Sequence, residues 1–384
     1  MPRPAVPSSA RAVSGARRPH GLHGLGCLLP ALTALLLLAV CRLSPAYAEY
    51  VHARIVFPGL STAIAWITSQ YAVSLTELAA VLGLPLLLLL LILAVRAVRR
   101  SPCRRRCVGR IARGCGWFLS TLFLLYMLLH GLLFYRYSVS TLLDLDTGVK
   151  SPAYLRAVCL DLARRANDLR EGLGEDDNGV MTLRGGVPDA LFHVSQYIRD
   201  AKRQYPFLKA YDAQPKGVLL SHLWSYTGVT GFYSMPLAEA NVNIDVPACS
   251  LPFTLCHELS HTYGFAREDE ANFWGYLLCR DSTSTEFQYS GNLMAFVYCS
   301  NALYALDRTA WLAVWEELSS PVRRDLAAQN AYWNGFQGKV MQAASSINDG
   351  FLKMQSQEDG ILSYDRVVDL ILAQYEKDGF VLRD

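Results

Sequence analysis

HELSHTYGFAREDEANFWGYLLC, residues 257–279, places two histidines, a glutamate between them and three consecutive carboxylates in one short stretch. His257 and His261 are four apart. On a helix both imidazoles then lie on one face, one turn apart, able to share a metal ion. Glu258 is rotated by about 100° from His257, so it can reach water beside the metal without being a ligand. A metal held there would lower the pKa of a water molecule. Glu258 would take that proton and return it to a leaving amine. Such a centre needs a third protein ligand and an open fourth position. Gly264 can end the helix and turn the chain, and Glu268, Asp269 and Glu270 follow at once. Helical phase selects Glu268, four residues before Asn272. Glu270 is the second choice, and Asp269 points elsewhere. Phe253, Leu255 and Leu259 supply an apolar packing phase for the first helix. The competing reading is a solvated helix with incidental histidines. The glycine turn and the carboxylate at ligand spacing favour a centre, with zinc as the expected ion.

Outward from this stretch the chain changes character. Of its 384 residues 52% are hydrophobic and 18% charged, and the apolar excess sits in the first third. Three runs, GLGCLLPALTALLLLAVCRL (24–43), LAAVLGLPLLLLLLILAV (78–95) and WFLSTLFLLYMLLHGLLF (117–134), approach the length that crosses about 30 Å of hydrocarbon. The first run competes with a cleaved signal peptide, since Arg17 and Arg18 precede it and Ala46-Tyr47-Ala48 follows. Eight arginines crowd residues 96–114 between the second and third runs. A short Arg-dense loop stays cytoplasmic. The N-terminus then lies on the same side, and residues 138–384 form an extracytoplasmic domain. The connection around 44–74, poor in Lys and Arg, reads as a loop on that outer side. Residues 1–23, rich in Pro, Ala, Ser and Arg, read as disordered.

The basic cluster lies between apolar runs rather than on a folded domain, which argues against a nucleic-acid partner. The expected partners are the lipid bilayer and a peptide or protein substrate. Five cysteines, Cys159, Cys249, Cys256, Cys279 and Cys299, fall in the outer domain, an odd number that leaves at least one unpaired.

The domain reads as mainly α with a small β-sheet, an α+β arrangement. Leu155, Val158, Cys159, Leu162, Ala163 and Ala166 recur at helical spacing within 150–171. A second helix is expected over 187–204. Residues 217–246 mix β-branched and aromatic residues with glycines, as strands and turns do. After Pro252 helices are expected over 253–263, 266–280, 290–305, 309–318, 322–347 and 364–377. ANVNID, 240–245, alternates like a half-exposed strand and is read as an edge along which an extended peptide could lie. Glu239, Asn241 and Asn243 would then line or brace the cleft. Tyr263, Tyr289 and Tyr364 are candidate oxyanion donors. His193 and His222 read as ordinary surface or core histidines.

Several of these segments resemble a family known only as DUF3810, uncharacterised bacterial multi-pass membrane proteins. The resemblance rests on FYSMPLAEANVNI, PFTLCHELSHTYGFAREDEANFWGYLLC, EFQYSGNL and NDGFLKMQSQEDGILSYDRVVDLILAQY, found in order. It extends over nearly all of the chain after the first 25 residues, the three apolar runs included, and implies a membrane location. Glu-x-x-Ala-Asn, residues 268–272, is also similar to the second-helix element of glutamate-zincins, in which the first Glu binds zinc. That likeness implies a zincin-like helical domain acting as a metallopeptidase. The alternative is a membrane-anchored metal-binding sensor or scaffold without turnover.

Overall fold

The computed structural model describes residues 25–208, 211–354 and 365–381. The N-terminal stretch 1–23 and Tyr364 lie outside them. Numbering only α-helices of nine residues or more, the N-terminal region holds α1 (Leu29–Leu43), α2 (Phe57–Thr68), α3 (Leu75–Arg100) and α4 (Arg104–Leu129). Among the described residues three helical stretches are long and apolar enough to cross a membrane: Gly26–Leu43, Leu75–Arg100 and Arg104–Leu129. The arginine-rich stretch is not a loop over 96–114. Helix continues through Arg100 and resumes at Arg104, leaving only Ser101–Cys103 as the turn. Arginine is a good helix former, and Arg99 and Arg100 suit the negative end of α3.

The helices α1 and α4 pack together. Ser120 Oγ donates to the Cys27 carbonyl at 2.5 Å, and Arg42 Nε donates to Tyr135 Oη at 3.1 Å. These two ties make α1 run alongside the second half of α4 in the same direction. The ends of α1 and α4 and the start of α3 therefore meet at one end of the bundle. The Ser101–Cys103 turn lies at the other. The connection expected as a loop over 44–74 is instead largely helical, a π-helix Ala48–Val56 running into α2.

The remaining longer helices are α5 (Pro152–Arg170), α6 (Gly186–Tyr197), α7 (Leu251–Thr262), α8 (Glu268–Arg280), α9 (Thr285–Leu306), α10 (Arg308–Glu316), α11 (Ser320–Asn334), α12 (Lys339–Met354) and α13 (Asp365–Lys377). Ser151 caps α5 by accepting from Tyr154 N–H, with Pro152 in the first turn. The apolar stripe of α5 is buried at the spacing the sequence predicts, packed chiefly on α9. The single helix expected over 322–347 is two, because Gly335 to Gly338 breaks it. All ten cysteines are free, and the five of this domain are buried.

Three strands, β1 (Lys216–Val218), β2 (Gly231–Ser234) and β3 (Glu239–Asn243), form the sheet in the order β1-β3-β2. β3 pairs parallel with β1 and antiparallel with β2. Its position is central, so the edge-strand reading of ANVNID is wrong. The edge nearest the histidine helix is β2. All five residues of β3 are buried, including its polar ones.

Those polar residues bolt the sheet to the start of α3. Glu239 accepts from Lys216 Nζ at 2.6 Å, from Thr76 N–H at 2.9 Å and from Thr76 Oγ1 at 2.7 Å. Lys216 also donates to the Thr68 carbonyl at 2.7 Å. Ser74 Oγ, which caps α3, donates to Asn241 at 2.6 Å. In return Glu77 accepts from the N–H groups of Leu219 and Leu220. Asn243 binds Ser225 Oγ and the Val229 carbonyl. Glu239 and Asn241 are braces of this junction, and Asn243 braces the loop before β2. The Lys216–Glu239 pair is almost wholly buried, and removing one partner strands the other charge. Glu239→Gln should lower stability by about 3–5 kcal/mol, read from denaturant or thermal unfolding of the full-length protein in detergent. Unchanged stability would mean that the pair does not hold the junction.

Candidate metal centre

α7 and α8 present the centre, joined by the turn Tyr263–Arg267. Gly264 sits in the left-handed region at φ +89°, a conformation that favours glycine. The turn carries His261 and Glu268 toward each other across two packed helices. His257 Nε2 lies 3.3 Å from Glu268 Oε2, and His261 Nε2 lies 3.7 Å from Glu268 Oε1. One donor atom from each of the three residues falls within 4.8 Å of the others. Two imidazole nitrogens and a carboxylate suit a four-coordinate zinc ion with one position left open. Glu268 keeps a quarter of its side chain exposed, while the histidines are more deeply set. The centre is therefore open on the Glu268 side.

Further contacts orient the ligands. His261 Nδ1 lies 2.7 Å from the Phe265 carbonyl, which makes Nδ1 the N–H donor and leaves the Nε2 lone pair for a metal. Asn272 lies beside His257 and accepts from Tyr298 Oη at 3.0 Å. Asn272, four residues after Glu268, is tied to α9 by that bond.

Glu258 sits beside the cluster, with Oε1 4.0 Å from His257 Nε2. Gly231 of β2 lies against it: a Cβ there would be 2.3 Å from Glu258 Oε1. The other carboxylate oxygen, Oε2, is buried without a hydrogen-bond partner. Burial pushes the Glu258 carboxyl up to about 8, against the pull of His257. Burial acts on Glu268 in the same direction, but the His257 hydrogen bond and the charges of both imidazoles hold its carboxyl down to about 2. Two neighbouring carboxyls are thus driven apart, one proton-holding and one anionic.

The structure separates the other candidates. Glu270 Oε1 accepts from Val139 N–H at 3.0 Å and from Arg267 Nη1 at 2.7 Å, turned away from the histidines. Tyr289 Oη donates to Asp325 at 2.6 Å inside a buried cluster with Arg170. Tyr263 Oη donates to Asp212 at 2.8 Å. Neither tyrosine reaches the cluster. His193 and His222 pair with Asp189 and Asp245 elsewhere.

Two residues join the centre that the sequence reading passed over. The ring of Tyr233, on β2, stacks on His261 with centroids 6.1 Å apart, and its hydroxyl is buried without a partner. His130, directly after α4, lies 6.2 Å from the Tyr233 ring. A histidine inside an apolar run was the available signal for His130. Tyr233 had none, as one of 20 tyrosines.

A model of the family described as "Protein of unknown function (DUF3810)" matches residues 52–372. That span is most of the chain, and the chain belongs to this family. The match begins after the first apolar helix, so it does not include that run as the resemblance implied. No curated protein and no solved structure matches.

The geometry separates Glu268 from Glu270 by experiment. His261→Ala and Glu268→Ala should each abolish divalent-metal binding by the purified protein, while Glu270→Gln retains it. Asn272→Ala should weaken metal affinity by about 10–100-fold. Metal lost in the Glu270 variant and kept in the Glu268 variant would reverse the assignment.

Proposed function

We propose that this DUF3810-family chain is a membrane-anchored, zinc-dependent metallopeptidase that hydrolyses peptide bonds on the extracytoplasmic side. One observation carries the reading. A three-ligand cluster with an open side has, next to it, a buried carboxyl that is not a ligand and whose second oxygen lacks a partner. A structural metal site is closed by a fourth protein ligand. His257, His261 and Glu268 would hold the zinc, which when bound supplies a Lewis acid that acidifies water and polarises a carbonyl. Glu258 is the general base and acid. Its carboxylate would take a proton from water and give it back to the leaving amine, and a cation held by the three ligands would favour that ionised form over the protonated one that burial alone favours. Tyr233, buried beside His261, supplies a hydroxyl for charge that develops on the carbonyl oxygen. β2 offers a sheet edge next to Glu258 for an extended peptide.

Sidedness follows from the arginines. α3 and α4 place their arginine-rich ends together at the Ser101–Cys103 turn, away from the domain. The positive-inside rule puts that turn in the cytoplasm and the domain outside.

Glu258→Gln should keep metal and fold while lowering peptide hydrolysis by about 10²–10⁴-fold. Gly231→Ala should act the same way more mildly, because the new Cβ displaces the Glu258 carboxylate. Full metal occupancy with no hydrolysis by the wild-type protein, across a broad peptide library, would leave a metal-binding sensor or scaffold instead. For sidedness, alkaline phosphatase fused after Asp384 should be active and a fusion at Pro102 inactive. The opposite pattern would invert the topology.

A further inference from the structure

The helical connection between α1 and α3 has two unlike faces. One is buried on the domain: Glu49, His52, Phe57, Ser61, Ala65 and Thr68. The other carries Tyr50, Ile55, Leu60, Trp66, Ile67 and Tyr71, each 38–66% exposed. No Asp, Glu, Lys, Arg or His occurs from Ile55 to Thr76. The two charges before that stretch are spoken for, since Glu49 pairs with Arg136 and Arg54 pairs with Glu49. An uncharged apolar face of this size needs a cover.

Continuity names the cover. The connection starts where α1 ends at Leu43 and stops where α3 begins at Leu75, so both its ends enter helices apolar enough to cross a membrane. Its outward aromatic residues, Trp66, Tyr50 and Tyr71, are the types that collect at the headgroup level. A second protein copy would have to cover this face while leaving the flanking apolar helices to lipid, although all form one surface. An amphipathic interfacial helix usually turns its polar face to water. Here that face is turned to the domain.

The inner face of the same connection touches the metal-bearing turn. Phe57 packs so closely on Gly264 that an added Cβ would lie 3.0 Å from its ring. Arg136, held by Glu49 at 2.9 Å, donates to the Gly264 carbonyl at 2.8 Å. Only the thickness of one helix, about 10 Å, separates the metal-bearing turn from the outer apolar face.

We propose that the Ala48–Thr68 connection is seated in the bilayer surface, and that the centre above it acts on peptide held there, the juxtamembrane segment of a membrane-anchored chain. The second half of this proposal rests on the peptidase reading, and the first half does not. The placement is tested with full-length protein in proteoliposomes made with or without lipid brominated near the headgroup end of the acyl chains. Trp66 emission is taken as the difference between wild type and Trp66→Phe. Strong quenching by brominated lipid is the expected result. Equal emission in both lipids overturns the placement.

The substrate class is tested in the same vesicles with one peptide tethered to a lipid anchor through Gly/Ser spacers of increasing length. Cleavage should be fastest at about four spacer residues, a reach of about 11 Å, and should fall as the spacer lengthens. A rate that peaks only near 30 residues, a reach of about 30 Å, would place the centre far from the membrane and overturn the inference. Quenched Trp66 with no cleavage of any tethered or free peptide would sink the peptidase reading, and the substrate class with it, while the placement stands. Cleavage with unquenched Trp66 would do the reverse.

Discussion

Arg136 joins what would otherwise be two separate objects. It directs two nitrogens at the Glu49 carboxylate and a third at the Gly264 carbonyl, and its guanidinium lies 4.1 Å from the centre of the Phe265 ring. Arg136 and Glu49 are both almost fully buried. Such a pair is costly to desolvate and gains its return only through geometry this complete. Its position explains the choice. The Phe265 carbonyl orients His261, so the residue that orders the turn between α7 and α8 is anchored by the connection between the first two apolar helices. Arg267 adds a second tie, donating to the carbonyls of Phe134 and Arg136. The centre is built on the membrane-proximal scaffold as much as on its own two helices.

This dependence marks how far the sequence could be read. Local chemistry was legible. The i, i+4 histidines, the glycine turn and the phase of Glu268 against Asn272 are helical arithmetic, and a helix repeats it faithfully. The apolar stripe of α5 and the three long apolar helices were legible for the same reason. Distant pairing was not. Glu239, Asn241 and Asn243 alternate with small or apolar residues, which reads as a strand with one wet face. Their polar groups are satisfied by Ser74, Thr76, Lys216 and Ser225, the first two more than 160 residues away in sequence. No local pattern announces a partner so remote. His130 and Tyr233 stayed hidden for the same cause, since their meaning lies in a neighbour from another part of the chain.

Arg267 shows how one substitution of role rearranges a motif. It stands at the position that a third histidine occupies in the HExxHxxGxxH pattern. A cation there cannot bind a metal, and the structure uses it to fasten the 134–139 linker and to hold Glu270 away from the cluster. The carboxylate one residue later is the one that faces both histidines. The three acidic residues in a row thus divide their labour: Glu268 faces the histidines, Glu270 serves the linker, and Asp269 is buried beside it.

The five buried cysteines of the domain have a consequence for how it matures. Burial pushes the Cys159 and Cys249 thiols up to about 12, and those of Cys279 and Cys299 well above the usual thiol range. The thiolate is the species that attacks a disulfide or an oxidant, and these side chains withhold it. Once the domain is folded, these four thiols are held in the form least able to make a cross-link. Exchange at these four positions therefore requires the domain to open first.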